Sequence, residues 1–181
     1  MSRLATINPA LATGKAKDLL TAVRAKLGLV PNMTKVMANS PAVLEGYLGL
    51  SGSLGDGLLD AKTRERLALV TAQQNECNYC LSTHSAIGKM VGLSPAEIAE
   101  SRSGHTSEPR SNAALIFASR VLDTHGDLNS EDLTAVRQAG FSDGEIAEII
   151  AHVALNVFTN YFNKAADVDI DFPKVTFSQI A

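Results

Sequence analysis

Two thiols and an imidazole stand within eight residues of one another in the stretch Glu76-Cys77-Asn78-Tyr79-Cys80-Leu81-Ser82-Thr83-His84. Cys77 and Cys80 are the chain's two cysteines. They lie at i and i+3, and His84 lies at i+4 from Cys80, so a helix would carry all three on one face. A free thiol has a pKa near 8.5 and is mostly protonated at neutral pH, whereas the thiolate is the nucleophile. An imidazole one turn away can take that proton, and the start of a helix favours the anion. A thiolate that attacks the O–O bond of a hydroperoxide becomes a sulfenic acid, and a second thiol in reach condenses with it to a disulfide. An outside dithiol must then reduce that disulfide to complete a cycle.

A fourth group joins this set from the preceding segment. Glu65 falls in line with Ala68, Leu69 and Ala72. A carboxylate on an apolar face loses water, its pKa rises, and it can shuttle protons. The competing reading is a surface Glu flanked by Arg64 and Arg66.

The elements that must position these groups read as helices throughout. Lys15 to Leu27 is amphipathic and ends at Gly28. Pro31-Asn32 opens a short segment to Met37, and Ser40-Pro41 reads as an N-cap with Pro at the first helical position. That helix ends in the Gly-rich run 52–57, which lacks the Gly-Lys-Ser/Thr end of a phosphate loop and reads as a flexible turn. Asp60 can cap a helix to about Gln74, and Asn75-Glu76 turn the chain into another from Cys77 to about Val91, with Ile87 and Val91 extending its reactive stripe. Three more helices are expected near Ser94–Ser101, Pro109–Thr124 and Asn129–Gln138, with a polar loop over 102–110. The last begins at Ser142 and runs, with a break, to Ala166. The tail from Asp169 to Ala181 holds Pro173 and β-branched residues and reads as an extended arm.

The pattern Gly92-Leu93-Ser94-Pro95-Ala96-Glu97 returns 48 residues later as Gly140-Phe141-Ser142-Asp143-Gly144-Glu145. Each copy combines a C-cap glycine with a Ser-x-x-Glu capping box. It marks either two similar helix junctions or two related helical units packed as one domain. The expected organisation is one all-α domain: a helical segment over 1–39, a core over 40–166 that holds the cysteine motif, and an arm over 167–181.

Composition narrows the function. With 45% hydrophobic and 19% charged residues, the 181-residue chain can build an ordinary globular core without disulfide staples. A net charge of −3 and the absence of a basic stripe argue against nucleic acid and anionic membranes as partners. No signal-like run opens the chain and no stretch approaches the roughly 20 apolar residues of a membrane span. The expected location is therefore the cytoplasm, where a spaced cysteine pair points to redox, catalytic or metal chemistry.

The Glu-(eleven residues)-Cys-x-x-Cys-x-x-x-His pattern of Glu65, Cys77, Cys80 and His84 resembles the signature of the alkylhydroperoxidase D-like branch of the carboxymuconolactone decarboxylase superfamily. The resemblance covers residues from about 40 to 165, most clearly 60–100. Gly28-Leu29-Val30-Pro31-Asn32 and Ser40-Pro41 are similar to segments of its peroxidase-related members. The resemblance implies an alkylhydroperoxidase D-like helical bundle, peroxidase activity of a peroxiredoxin type, no cofactor, and a homo-oligomer, trimer or hexamer. It implies that Cys80 attacks the peroxide, Cys77 resolves the intermediate, and His84 with Glu65 relays protons. Tyr79 stands where the best-known members carry a second His; a phenol can donate a hydrogen bond but carries protons poorly at neutral pH. The helix dipole alone would favour Cys77 as the reactive thiol, but it is worth only about 0.3–1 kcal/mol, and the proton acceptor favours Cys80.

Other readings compete. Zinc would need a fourth ligand beside Cys77, Cys80 and His84, and His105, His125 and His152 show no finger-like spacing. His105 is expected in solvent, His125 at a helix end, and His152 as a hydrogen-bonded core histidine in the apolar Ile149–Val157 segment. Phe158, Tyr161 and Phe162 read as core or oligomer packing, or as the wall of an apolar pocket. Two further functions remain as rivals: a decarboxylase or lactone-processing enzyme, and a redox sensor whose cysteines switch without turnover.

Overall fold

The computed structural model describes residues 2–177, which form nine α-helices and no strand. An N-terminal layer comprises α1 (Gly14–Leu27), α2 (Asn32–Met37) and α3 (Pro41–Gly55). A hairpin of α4 (Ala61–Gln74) and α5 (Asn78–Met90) follows, then α6 (Pro95–Arg102), α7 (Pro109–Asp123), α8 (Ser130–Gln138) and α9 (Asp143–Ala166).

Helix α4 is the central strut. It packs against α5, α6, α7 and α9, and its residues from Arg66 to Gln73 are all buried. A helix that is buried nearly all round needs apolar residues on every side, and Leu67, Ala68, Leu69, Val70 and Ala72 supply them. Each buried Leu or Val contributes about 1.5–3 kcal/mol, so packing rather than intrinsic propensity holds this short helix. One side of α4 faces the core of Leu20, Met37, Leu44 and Leu81, and the other that of Leu115, Phe117, Ile149 and Val153.

The caps follow the residue chemistry. Asp60 accepts the Thr63 N–H at 3.0 Å, and full capping boxes form at Ser94/Glu97 and Ser142/Glu145. The two repeated junctions share one build. Gly92 and Gly140 take φ of 88° and 90°, and the N–H of the next residue, Leu93 or Phe141, returns to the Gly88 or Val136 carbonyl. That left-handed turn is why glycine stands at both positions.

Three expectations change. Ser40 takes the N-cap position of α3 with Pro41 after it, as read from the sequence, but makes no side-chain cap bond. Helix α9 runs unbroken for 24 residues, because no proline interrupts it and its buried Asn156 and Thr159 bond back to the helix's own carbonyls. Cys77 precedes α5 as its N-cap instead of lying within it. Beyond α9 the arm over 169–177 forms neither helix nor strand and bends at Phe172-Pro173, and positions 178–181 lie outside the described residues.

Candidate active site

The α4–α5 turn sets the geometry of the sulfurs. Glu76 adopts φ of 53°, the Cys77 N–H reaches the Ala72 carbonyl at 2.9 Å, and Cys77 arrives in an extended conformation at the N-cap of α5. There its Sγ accepts the Cys80 N–H at 3.3 Å. The turn is pinned to α9, where Lys164 Nζ donates to the Asn75 carbonyl at 2.7 Å and Asn75 Nδ2 to Asn160 Oδ1 at 3.1 Å. Cys77 and Cys80 are joined by a disulfide with their Cα atoms 5.3 Å apart.

Both cysteines are buried, with 1% and 2% of their surface exposed, so access decides which sulfur meets a ligand. A cavity of about 210 Å³ opens between α3, α4, α5 and α9. Cys80, Glu65, His84 and Tyr79 all line it, and Cys77 does not. His84 Nδ1 lies 2.8 Å from Glu65 Oε2, both side chains being half-buried. An N–H on Nδ1 donating to the carboxylate leaves Nε2 as the acceptor nitrogen of the neutral ring. The structure thus brings Cys80, His84 and Glu65 to one space, while the helical-face expectation fails for Cys77, which the Glu76 turn moves to the cap.

Glu65 is therefore not the solvated carboxylate of the competing reading. Of its two neighbours, Arg66 is buried and bonded to Glu97, Ser101 and Thr106, and Arg64 lines the cavity while donating to the Leu59 carbonyl.

Tyr79 serves the arm. Its hydroxyl accepts the Met33 N–H at 3.2 Å and donates to Asp171 Oδ1 at 2.9 Å, and its ring meets Phe172 edge-on at 6.1 Å. Burial first, then the Asp171 charge, pushes the phenol's pKa well above its ordinary value, so it keeps its proton, stays a donor and does not shuttle protons at neutral pH. The arm continues across the start of α5: the Val175 N–H donates to Ser82 Oγ at 2.9 Å and the Phe177 N–H to Asn78 Oδ1 at 2.6 Å. It roofs the cysteine turn.

Helix α9 supplies residues that spacing within the cysteine motif could not reveal. Asn163 Nδ2 donates to Cys80 Sγ at 3.4 Å and to Met33 Sδ at 3.2 Å. His152 lines the same cavity; it is buried, as expected of a core histidine, while its Nε2 has no hydrogen-bond partner. Tyr47, whose hydroxyl pairs with Ser51, adds a phenol held protonated mainly by burial. The readable signal was the polar series His152, Asn156, Thr159, Asn163, spaced 4-3-4 among the apolar Ile146, Ile149, Val153 and Leu155 of the helix's buried side. His105 and His125 are exposed and away from the cavity. Phe158 and Tyr161 are also exposed and, with Phe162, are not among its walls.

The comparisons with known proteins bear on the family and the fold. Residues 41–123 match the carboxymuconolactone decarboxylase family. The fold is similar to that of a peroxidase-related protein from Ralstonia eutropha JMP134 with an alkylhydroperoxidase AhpD core, at 25% identity and a TM-score of 0.85, covering 94% of this chain and 92% of that one. A peroxidase-related protein from Silicibacter sp. TM1040 follows at 23% identity and a TM-score of 0.80, covering 92% and 88%. The debrominase Bmp8, at 22% identity and a TM-score of 0.73 over 87% and 86% of the two chains, shares the fold. A curated Haemophilus influenzae protein is 41% identical over 46 residues, which are 25% of this chain and 41% of that protein's length.

Proposed function

Because this chain is an alkylhydroperoxidase D-like protein of the carboxymuconolactone decarboxylase superfamily, we propose that it is a thiol peroxidase that reduces hydroperoxides through Cys80 and Cys77. The observation that carries this reading is a single cavity shared by Cys80 and the bonded Glu65–His84 pair, with Cys77 already in disulfide contact with Cys80. His84 Nε2 takes the Cys80 proton, directly or through one water, while Glu65 orients the ring and stabilises its charged form. The thiolate attacks the terminal peroxide oxygen. The S–O bond forms as the O–O bond breaks, the alkoxide takes a proton from His84, and Cys80 becomes a sulfenic acid while the alcohol leaves. The Cys77 thiol then displaces hydroxide, which departs as water, and the disulfide forms. A dithiol returns both cysteines to thiols and is itself oxidised to a disulfide.

Access supports the order of the two sulfurs: a peroxide in the cavity meets Cys80, and Cys77 stands behind it. The same reading includes a homo-oligomer. Ile150, Phe158 and Tyr161, large and 41–59% exposed, share the outer face of α9 and offer an apolar surface for a second copy.

The test is peroxide consumption with dithiothreitol as donor. Cys80→Ser is expected to lose turnover, and Cys77→Ser to accumulate a sulfenic acid that dimedone traps. Full turnover by Cys80→Ser would overturn the assignment. A disulfide that responds to peroxide without turnover would mark a sensor instead, and lactone processing that survives alkylation of both thiols would mark a decarboxylase-like enzyme.

A further inference from the structure

The reactive sulfur takes its hydrogen bond from α9. Cys80 Sγ accepts Asn163 Nδ2 at 3.4 Å, and no other N–H or O–H among the described residues is bonded to it. The amide is braced in place. Asn163 is 3% exposed, and the end of α9 is tied to the cysteine turn on either side of it. Asn160 Oδ1 accepts from Asn75 Nδ2 at 3.1 Å, and Lys164 Nζ donates to the Asn75 carbonyl at 2.7 Å. Its partners fix the amide's orientation. Nδ2 also donates to Met33 Sδ at 3.2 Å. Neither a thioether nor a disulfide sulfur has a hydrogen to give, so the NH2 end must face both.

This amide costs the fold something. Its other end, Oδ1, is buried without a partner, and an unpaired buried acceptor is destabilising. Neutral sulfur is a weak acceptor and offsets little of that. The balance changes when Cys80 ionises, because a hydrogen bond to an anion is about twice as strong as one between neutral groups. A donor held in advance beside a sulfur that becomes charged stabilises the charge without reorganisation. Cys77 has a donor of its own, the Cys80 N–H at 3.3 Å. The ionisable groups around Cys80 are Arg64 and Glu65 on α4, Tyr47 on α3, Tyr79 and His84 on α5, and His152 on α9, with Asp171 of the arm bonded to Tyr79. They surround the sulfur, and Asn163 is the group bonded to it.

We infer that Asn163 is a catalytic residue: its amide N–H stabilises the Cys80 thiolate and leaves that of Cys77 untouched. The proton goes to His84, the charge left on Sγ is held by Asn163, and that charge passes to the departing oxygen as the S–O bond forms. The inference rests on the peroxidase reading only for the peroxide that the thiolate attacks.

Single-thiol proteins isolate each sulfur. With the one cysteine isotope-labelled at Cβ, NMR follows ionisation of Cys80 in Cys77→Ser and of Cys77 in Cys80→Ser, each with and without Asn163→Leu. Asn163→Leu is expected to lower the thiolate-to-thiol ratio of Cys80 about tenfold at a given pH, the worth of one hydrogen bond to an anion, and to leave Cys77 unchanged. Asn163→Ala removes the same donor without adding bulk and is expected to act in the same direction, with thermal melts showing that the variants fold. Asn156→Leu removes another buried amide from the cavity wall, one whose donor is spent on the His152 carbonyl, and is expected to leave Cys80 unmoved. A Cys80 titration unmoved in both Asn163 variants, or moved as far by Asn156→Leu, would overturn the inference. With both cysteines present, the acid limb of kcat/KM for tert-butyl hydroperoxide is expected to move up in pH with the Cys80 titration in Asn163→Leu. A shifted Cys80 titration with no turnover of this peroxide by the wild type would overturn the peroxidase reading and leave Asn163 as the thiolate's partner.

Discussion

His84 Nδ1 and Glu65 Oε2 are 2.8 Å apart across the α4–α5 hairpin, 19 residues apart in sequence. The contact fixes the imidazole's orientation and tautomer, so removing the carboxylate charge should act on catalysis more than on fold. Glu65→Gln keeps the shape and one acceptor oxygen. We predict a fall in kcat/KM of about 10²-fold, within the range for general acid–base assistance, with little change in melting temperature. Steady-state peroxide consumption and a thermal melt check this together. Wild-type rates in Glu65→Gln would remove the carboxylate from the proton relay.

The arm's hold on the cysteine turn gives a second prediction. Asp171 accepts from Tyr79 through Oδ1 and from the Asn32 N–H through Oδ2, at 2.9 and 2.8 Å. Asp171→Ala removes both acceptors at an exposed site where water can replace them, with a loss of about 0.5–1.5 kcal/mol. Cys77, sealed in the native state, should then become open to solvent more often. Reduction of the Cys77–Cys80 disulfide by dithiothreitol is expected to be severalfold faster in this variant. An unchanged reduction rate would show that the arm does not gate access to these sulfurs.

The meeting of Cys80, His84 and Glu65 was legible in the sequence because these three lie in two helices whose period is 3.6, and spacing alone aligns Cys80 with His84. The capping boxes at Ser94 and Ser142 were legible for the same local reason. What escaped depended on partners far along the chain. Arg66 and Arg64 looked alike beside Glu65, yet Arg66 is buried because Glu97, Ser101 and Thr106, 31 to 40 residues later, converge on it. His152 looked like a core residue because its own segment is apolar. Only the meeting of α3, α4, α5 and α9 opens a space against it. Cys77 was misplaced by a single backbone angle, the left-handed turn at Glu76, which residue type does not announce.

The Arg66 environment supplies a third prediction. Its guanidinium lies 2.7 Å from Glu97, with side-chain exposures of 5% and 32%. Arg66→Ala leaves Thr106 Oγ1 without its donor and opens a void beside the central helix, while Ser101 Oγ keeps its bond to the Glu97 carbonyl. A loss of about 3 kcal/mol is expected, the low end for a broken buried pair, because Glu97 retains contact with water. Chemical denaturation measures it. A loss below roughly 1 kcal/mol, the scale of an exposed pair, would mean that the site relaxes and rehydrates.

Acid should weaken the fold through His152. Burial holds its pKa below the ordinary value of about 6.5, so near and below that pH the unfolded chain binds a proton that the folded chain does not. Stability therefore rises with pH across the window between the folded pKa and about 6.5, is fully present above it, and is lost as pH falls through it. The slope from this one group is at most about 1.4 kcal/mol per pH unit. His152→Leu removes the titrating group, so the stability of wild type minus that of the variant should climb with pH inside the window and level off above it. Other titrating groups shared by the two proteins cancel in that difference. Urea titrations at half-unit steps from pH 5 to 8 would read it. A flat difference would mean that the imidazole binds its proton equally well in both states, which is incompatible with a pKa held down by burial.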